Sequence, residues 1–258
     1  MENINAGRFT DIADIYQQFR ASYPKELVEY LYTVAGFAKN SVIADIGSGT
    51  GIFSRCLLER GSRVFCVEPN DDMRLIAEKE LRDEAGFKRF ISVKALAENT
   101  GLEKNSIDFI TTAQAFHWFD RHKFKQECQR ILKAGGKVVL IWNIRDQEHE
   151  AVKRDYIIRQ KYSVGDAQGL GEGGGPPQDC ADFFLGGVCE ELTFRNDLLL
   201  GREAYIGMNL SRSYAPGKEK YPEKYHGFVL ELGNLFDEYS VDGVLSYPHI
   251  TKVFIGRV

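Results

Sequence analysis

The sequence lacks long apolar runs and cysteine pairs. No apolar run approaches the roughly 20 residues that a helix needs to cross a bilayer, and the N-terminal stretch MENINAGRFTDI lacks the apolar segment of a secretory signal. The five cysteines, at positions 56, 66, 128, 180 and 189, include no C-x-x-C pair. We therefore expect buried free thiols, no metal site and a soluble cytoplasmic protein.

The sequence also lacks a cluster of positive charge. Its 33 Lys and Arg residues are scattered among 37 Asp and Glu residues, and the formal net charge is −4. This balance disfavours nucleic acid as a partner or substrate. The 258 residues, 43% of them hydrophobic, are long enough for one large α/β domain with a buried core.

A glycine-rich junction is the most informative feature that is present. Residues 42–51 read VIADIGSGTG, an apolar run that ends in an acid and opens into three glycines, directly before a helical pattern. Glycine lets the chain leave a strand in a tight turn and brings backbone N–H groups close to a ligand, because no Cβ stands in the way. The junction therefore predicts a nucleotide-type site.

The spacing of these glycines discriminates between ligands. A dinucleotide fingerprint, G-x-G-x-x-G, would need its third glycine at Ile52, whereas here Asp45 stands two residues before Gly47. Glu68 ends the run RVFCVE, where an acid from a second strand would reach a ribose diol. Two acids suit a positively charged ligand better than a pyrophosphate, so the pattern favours an adenosine-containing cation over NAD. A tight turn that binds nothing is the simpler alternative.

Short β-rich runs alternate with helical patterns from residue 42 onward. The runs are VIADI, RVFCVE, FISVKA, IDFITTA and KVVLIWN, and helices are expected between them at 52–60, 71–85 and 121–133. This alternation predicts a doubly wound α/β fold, with a mostly parallel sheet and helices on both faces. Further helices are predicted at 10–20, 24–36, 146–162, 201–212 and 224–239, a flexible loop at 165–179, and last strands at 191–195 and 252–258.

The pattern acid-x-G-x-G-x-G, followed by a second-strand acid, resembles the class I S-adenosylmethionine-dependent methyltransferases. Three further stretches are similar to the trans-aconitate-methyltransferase-like group, whose members methylate small molecules, often carboxylates. They are RFTDIADIYQQFRASYP at 8–24, AQAFHWFD at 113–120 and SRSYAP at 211–216. The resemblance implies S-adenosylmethionine as the cofactor and S-adenosylhomocysteine as its product.

The resemblance also implies the architecture. It predicts a Rossmann-like sheet of seven strands, whose edge is an antiparallel hairpin, within a single domain over 1–258. In that domain, residues 1–36 would form lid helices, 41–143 the cofactor-binding core, and 145–240 a helical cap insertion. The part of the insertion between 145 and 190 would cover the active site.

Carried over residue by residue, the resemblance assigns parts of the cofactor to parts of the chain. The methionine part falls to the glycine loop with its acid, to a residue after the fourth strand, and to an N-terminal tyrosine and arginine: Asp45, Gly47, Ser48, Gly49, Gly51, Gln114, Tyr16 and Arg20. The ribose falls to Glu68. The adenine falls to Pro69, Asn70, Met73, Leu96, Ala97 and Glu98, with Met73 on its face. Core packing of Met73 and Leu96, and a solvated Arg20, are the alternatives.

The stretch AQAFHWFD gathers aromatic side chains around one histidine directly after the fourth strand. The resemblance puts His117 and Trp118 at the reactive end of the cofactor. His117 would act as a general base on a hydroxyl or amine acceptor, and would only position a carboxylate acceptor. Arg145 is the candidate for binding an acidic acceptor in a two-pronged geometry, with a surface role as the alternative. The predicted acceptor pocket is completed by Trp142, Ser213 and Tyr214.

The leading hypothesis is a methyltransferase that acts on a small-molecule acceptor, with O-methyl transfer to a carboxylate as one candidate, in a monomer or homodimer. A non-catalytic protein that binds S-adenosylmethionine or S-adenosylhomocysteine is the alternative. An NAD-dependent oxidoreductase is disfavoured by Ile52. The residues leave open which atom is methylated.

Overall fold

The structure, a computed structural model, describes residues 22–165, 175–212 and 214–258. Strands and helices alternate along the chain, as the sequence predicts. The helices are α1 (Lys25–Thr33), α2 (Ile52–Glu59), α3 (Asp71–Ala77), α4 (Arg121–Ile131), α5 (Glu150–Tyr162), α6 (Arg202–Leu210) and α7 (Pro222–Tyr239). The strands are β1 (Val42–Ile46), β2 (Arg63–Val67), β3 (Phe90–Val93), β4 (Ile107–Ala113), β5 (Leu132–Arg145), β6 (Cys189–Arg195), β7 (Leu198–Leu200), β8 (Leu245–Tyr247) and β9 (His249–Gly256).

Seven of these strands form one sheet, in the order β3-β2-β1-β4-β5-β9-β6. The first five are parallel, and β9 runs antiparallel to both β5 and β6. The predicted mostly parallel sheet with an antiparallel edge is therefore confirmed. Because β1, β2, β4 and β5 run in one direction, their carboxyl ends meet at one edge, which is where open α/β sheets bind ligands.

The sheet has an apolar core on each face, as expected when helices cover both sides. Along β5, Val138, Leu140 and Trp142 face one core, whereas Val139 and Ile141 face the other. All five side chains are fully buried. The long apolar run KVVLIWN follows from this double burial, since neither face of the strand meets water.

Several helix ends follow the expected capping chemistry. The Asp120 carboxylate accepts the Lys123 N–H at 3.1 Å and so begins α4. Gly61 and Gly86, with φ of +84° and +66°, follow helical segments as predicted. The predicted helix at 71–85 differs in its second half, because α3 passes into a π-helix over Glu78–Glu84.

Helices α5, α6 and α7 pack together with a small antiparallel sheet of β7 and β8, and we call these elements the cap. The cap has an apolar core of its own, in which Tyr205, Phe228, Leu232 and Tyr247 are buried. The sequence analysis missed this small sheet because each of its strands has only three residues, too few for an alternating pattern. In the described part of the chain, no helix combines the length and the apolar character that crossing a membrane requires.

Candidate functional site

The glycine loop follows β1 at the carboxyl edge of the sheet. Gly47, Gly49 and Gly51 have φ of +70°, +56° and +82°, a region that other residues rarely adopt. A Cβ on Gly47 would lie 2.5 Å from the Ala115 Cβ and 3.1 Å from the Phe119 ring. The loop therefore packs directly against the turn that follows β4.

Asp45, in β1, anchors the start of the glycine loop through hydrogen bonds. Its carboxylate accepts hydrogen bonds from the Ser54 hydroxyl at 2.5 Å and the Thr111 hydroxyl at 2.8 Å. Only 1% of Asp45 is exposed, and burial raises its pKa to about 6 against the opposing effect of these two bonds. Asp45 thereby links β1 to the first turn of α2 and to β4.

Glu68, at the end of β2, reaches back to the glycine loop. Its Oε2 accepts the Gly49 N–H at 2.9 Å, and its Oε1 accepts the Asn70 N–H at 2.8 Å. Burial raises the pKa of Glu68, and the two backbone donors oppose that rise. Each carboxylate oxygen has two lone pairs, so both oxygens retain the capacity to accept a hydroxyl of a ligand.

A cavity opens between the glycine loop, Glu68 and the turn after β4, and we call it the cofactor cavity. Thirteen of the residues selected from the sequence line it: Asp45, Gly47, Ser48, Gly49, Glu68, Pro69, Asn70, Met73, Leu96, Ala97, Glu98, Gln114 and Trp118. The hydroxyls of Ser48 and Thr50 are buried at its wall without a hydrogen-bond partner among the described residues. Such orphaned hydroxyls are expected where a polar ligand completes the site.

The charges on this wall are all of one sign. The ionisable side chains that line it are the acids Asp45, Glu68 and Glu98 and the phenol of Tyr23, and the described wall contains no Lys, Arg or His. An acidic cavity favours a cationic ligand and disfavours the pyrophosphate of a dinucleotide. Within the described ranges, no group of three or more His, Cys, Asp or Glu could hold a metal ion.

Comparison with known proteins assigns this region to a family. A protein-family profile described as a methyltransferase domain matches residues 44–140, which include the glycine loop, Glu68 and the turn after β4. The chain contains a methyltransferase domain. An uncharacterised methyltransferase of Mycobacterium bovis is 32% identical over 139 residues, which cover 54% of this chain and 53% of that protein. The chain thus spans about half the length of this curated relative.

Solved structures extend the comparison to the whole fold. A protein of Anaeromyxobacter dehalogenans, provisionally assigned as a type II methyltransferase, superposes with a TM-score of 0.67 at 21% identity and covers 93% of this chain and 98% of its own. A geranyl diphosphate C-methyltransferase of Streptomyces coelicolor, solved with Mg²⁺, geranyl diphosphate and S-adenosyl-L-homocysteine, superposes at 0.50 with 16% identity, covering 90% and 80%. These likenesses establish the class I methyltransferase fold.

Three cofactor candidates lie off the wall of the cofactor cavity or beyond what the structure describes. Gly51 is not on the described wall of the cofactor cavity. It caps α2, and a Cβ there would lie 2.6 Å from the Leu81 Cδ1, so close packing with Leu81 accounts for glycine at this position. Tyr16 and Arg20, with the proposed lid that contains them, lie outside the described residues, as does Ser213.

His117 and Trp118 occupy a short 3-10 turn after β4, and only Trp118 reaches the cofactor cavity wall. The His117 ring lies 4.7 Å from the Trp118 ring and is exposed. The surrounding protein lowers the pKa of His117 to about 4 by desolvation. Because the ring itself meets water, solvent limits this fall, but its direction keeps the imidazole neutral at neutral pH.

Arg145 and Trp142 do not reach the described wall of the cofactor cavity. Trp142 is fully buried in the sheet core, where it packs edge-on against Phe116 and Phe254. Trp142 lies on the same face of β5 as Leu140, and that face packs in the apolar core. Arg145 is 8% exposed at the end of β5, opposite His249 on β9. Arg145 lies near the cap, because its charge lowers the pKa of Asp155 in α5, but no residue of the cap belongs to the described wall.

Several wall residues escaped the sequence analysis. Tyr23 lies on the wall and packs edge-on against Phe53, with ring centroids 4.8 Å apart. Phe119 and Thr50 also line the cavity. Thr50 and Phe119 lie within the glycine-loop and AQAFHWFD motifs, so the sequence analysis could have selected them. Tyr23 precedes α1 and Phe53 lies in α2, and only the fold brings these segments together.

Proposed function

We propose that the whole chain is an S-adenosylmethionine-dependent methyltransferase that acts on a small-molecule acceptor. The observation that carries this proposal is the acidic cofactor cavity, in which Glu68 presents both carboxylate oxygens beside the glycine loop. A sulfonium and an ammonium suit such a cavity, and a ribose diol suits two carboxylate oxygens with free lone pairs. The S-adenosylhomocysteine bound in the Streptomyces coelicolor structure supports the same choice.

The residues that would hold the cofactor follow from this fit. The backbone of Gly47 and Gly49 and the orphaned hydroxyls of Ser48 and Thr50 would receive the methionine part. Glu68 would accept the ribose hydroxyls, and Met73, 5% exposed, would pack on the adenine beside Leu96 and Ala97. When bound, the cofactor supplies an electrophilic methyl group.

Transfer of a methyl group from sulfur is an in-line displacement, so the protein mainly has to align the acceptor and exclude water. Trp118, Phe119 and Tyr23 give the cavity flat apolar walls suited to that task. His117 remains the candidate base for a hydroxyl acceptor, although it lies off the described wall and its lowered pKa makes it a weaker base. A carboxylate acceptor is already nucleophilic and would need His117 only for positioning.

Two other functions fit less well. An NAD-dependent oxidoreductase would place a pyrophosphate against a wall with three acids and, among the described residues, no cationic side chain. A non-catalytic protein that binds the same cofactor uses the same cavity. Turnover is the property that separates it from an enzyme.

The proposal is tested by a screen with methyl-labelled S-adenosylmethionine against small carboxylic acids, phenols and amines, with S-adenosylhomocysteine release as a second readout. We expect label transfer to at least one acceptor class, and loss of transfer in Glu68→Ala. Tight cofactor binding without transfer to any class would support the non-catalytic alternative. Absence of cofactor binding would refute the proposal itself.

A further inference from the structure

Arg145 is a buried cation with donor atoms that have no hydrogen-bond partner among the described residues. Its residue surface is 8% exposed, and its Nε and Nη2 atoms are buried with no partner in the described structure. A buried guanidinium whose N–H donors find no acceptor is strongly unfavourable. An unsatisfied buried group of this kind needs an explanation, and a ligand that completes it is one.

The buried acid Asp155 already accepts hydrogen bonds from three other donors. The Asp155 carboxylate accepts Arg159 Nε at 2.7 Å and the hydroxyls of Tyr205 and Tyr247 at 2.8 and 2.7 Å. Asp155 and Arg159 are 0% and 4% exposed, so they neutralise each other inside the cap. The charge of Arg145 lowers the pKa of Asp155 from nearby, but no hydrogen bond joins the two.

Further cations surround the same place, and we call Arg145, Arg159 and Arg212 the arginine cluster. Burial raises the pKa of Tyr214, but the charges of Arg212, Arg159 and Arg145 lower it below its ordinary value. The Tyr214 hydroxyl accepts a hydrogen bond from Arg159 Nη1 at 3.2 Å. Three positive charges therefore act on Tyr214.

His249 contributes a polar atom to the cluster but no charge. It is 4% exposed, and burial, together with the charge of Arg145, lowers its pKa to about 3. Its Nδ1 lies 3.2 Å from the Tyr247 carbonyl, an acceptor that fixes the proton on Nδ1. The imidazole is therefore neutral and adds no charge to the cluster.

The cluster lies on the side of the sheet that carries part of the cofactor cavity wall. Gln114, on the wall, donates from Nε2 to the Asn143 carbonyl at 2.9 Å. Asn143 and Arg145 are two residues apart on β5, so their side chains share a face and their Cα atoms are separated by roughly 7 Å. The Asn143 amide also donates to the Ser22 carbonyl at 3.3 Å, directly before Tyr23 on the wall.

We propose that Arg145, with Tyr214 and His249 beside it, binds an oxyanion, a carboxylate or a phosphate, that the acceptor carries in addition to the atom that receives the methyl group. The inference rests on the proposed function for the identity of the ligand, but the anion site itself does not depend on it. Its consequence is that acceptors are bifunctional: one group reacts near Trp118 and a second, anionic group docks under the cap. A neutral phenol or amine of the same size would lack the second contact.

The site can be tested with simple anions, without an identified acceptor. Arginine Nε–H resonances of the ¹⁵N-labelled full chain would be followed by NMR during titration with succinate and, separately, inorganic phosphate, at constant ionic strength set with chloride. We expect a saturable shift of the Arg145 Nε–H signal, assigned by its absence in Arg145→Met. The anion that saturates at lower concentration identifies the source as carboxylate or phosphate.

A matched control is Arg195→Met, because Arg195 is an exposed arginine whose side chain is 81% accessible and paired with Asp197. That variant should retain the saturable shift, and Arg145→Met should lose saturable binding measured by calorimetry. Guanidinium solvation by water alone would give no shift beyond the chloride baseline and would overturn the proposal. Equal loss of anion binding in both variants would do the same.

Measuring cofactor binding in the same samples distinguishes failure of the anion site from failure of the proposed function. S-adenosylhomocysteine affinity, measured by calorimetry in the same samples, should be unchanged within twofold in Arg145→Met. A wild-type protein that binds the anion but no cofactor would retain the anion site and refute the proposed function. One that binds cofactor but no anion would retain the proposed function and refute the anion site.

Discussion

The cofactor cavity and the arginine cluster are both built on buried acids, yet they have opposite charge. Glu68 accepts two backbone N–H groups, which are neutral, and so keeps its negative charge available to a ligand. Asp155 accepts hydrogen bonds from a guanidinium and two phenols, and its charge is neutralised within the cap. The partners of an acid, more than its burial, decide whether it can serve a ligand.

This difference in charge has a functional interpretation. A cavity with net negative charge suits the sulfonium and ammonium of the proposed cofactor, and a cluster with net positive charge suits the proposed anionic end of an acceptor. Gln114 and Asn143 connect the two regions through one hydrogen bond. Variants that alter the charge in one region should therefore leave binding in the other nearly unchanged.

The largest effect is expected from Asp155→Ala. Without its carboxylate, the 4% exposed Arg159 becomes a second buried, unpaired cation, and breaking such a pair costs about 3–5 kcal/mol of unfolding free energy. Denaturant unfolding would measure this loss of unfolding free energy. The matched control is Asp197→Ala, which removes the exposed partner of Arg195 and should cost at most about 1 kcal/mol. Equal losses in the two variants would show that Asp155 is not the neutralising acid of the cap.

The next effect concerns the glycine loop. Gly47→Ala puts a Cβ 2.5 Å from the Ala115 Cβ at a φ of +70°, so strain and overpacking together should cost about 2–4 kcal/mol. We expect cofactor binding to be lost in calorimetry even at temperatures where the variant stays folded. Gly101→Ala has the same φ but no atom within 4 Å of the new Cβ and should keep cofactor affinity. Retained binding in Gly47→Ala would mean that the cofactor does not need the loop in this conformation.

Arg145→Met sharpens the contrast between paired and unpaired buried arginines. Because Arg145 has no hydrogen-bond partner among the described residues, an apolar side chain of similar length should leave the unfolding free energy unchanged or raise it by up to about 2 kcal/mol. Arg159→Met should lower it, since Asp155 would lose its counter-charge. Denaturant unfolding in anion-free buffer decides between these outcomes. A clear destabilisation in Arg145→Met would assign that residue a structural role.

A smaller effect is expected from pH. Burial raises the pKa of Asp45 to about 6, so its carboxylate is ionised at pH 7 and becomes protonated as the pH falls through that value. Affinity for a cationic ligand should therefore decrease by up to about tenfold per pH unit below 6, and Asp45→Asn should reduce this dependence to the part contributed by Glu68, whose pKa burial also raises. Calorimetry with S-adenosylmethionine and S-adenosylhomocysteine from pH 7.5 to about 5 would separate contact with the sulfonium from contact with the shared ammonium. A flat profile for both ligands would leave Asp45 as a support of the loop only.

The sequence predicted the sheet and the cavity side of the site well, because both depend on local patterns. Alternating apolar runs predicted the parallel strands, and the contiguous motifs around Gly47, Glu68 and Trp118 identified most of the residues that the fold gathers at one edge. Trp142 could not be placed in the same way. Whether a residue of a doubly buried strand faces a core or a ligand depends on the helices packed against each face.

The arginine cluster was beyond sequence analysis for another reason. Its residues come from β5, α5 and the segments around Tyr214 and His249, which are separated by tens of positions in the chain. Arg145 was predicted to bind an acidic acceptor, but nothing local indicates that Asp155 pairs with Arg159 while Nε and Nη2 of Arg145 have no partner among the described residues. Such selective pairing emerges only from tertiary packing.

The central claim is that Glu68 and the glycine loop bind the adenosine cofactor, and calorimetric titration of S-adenosylhomocysteine into the wild type and Glu68→Ala tests it most directly. We predict measurable binding in the wild type and a loss of about 1–3 kcal/mol in Glu68→Ala, the range for a lost charged hydrogen-bonding partner. Glu68→Gln, which keeps one acceptor oxygen for the backbone, should show an intermediate loss, and thermal melts should confirm that both variants are folded. Unchanged affinity in a folded Glu68→Ala variant would contradict the account.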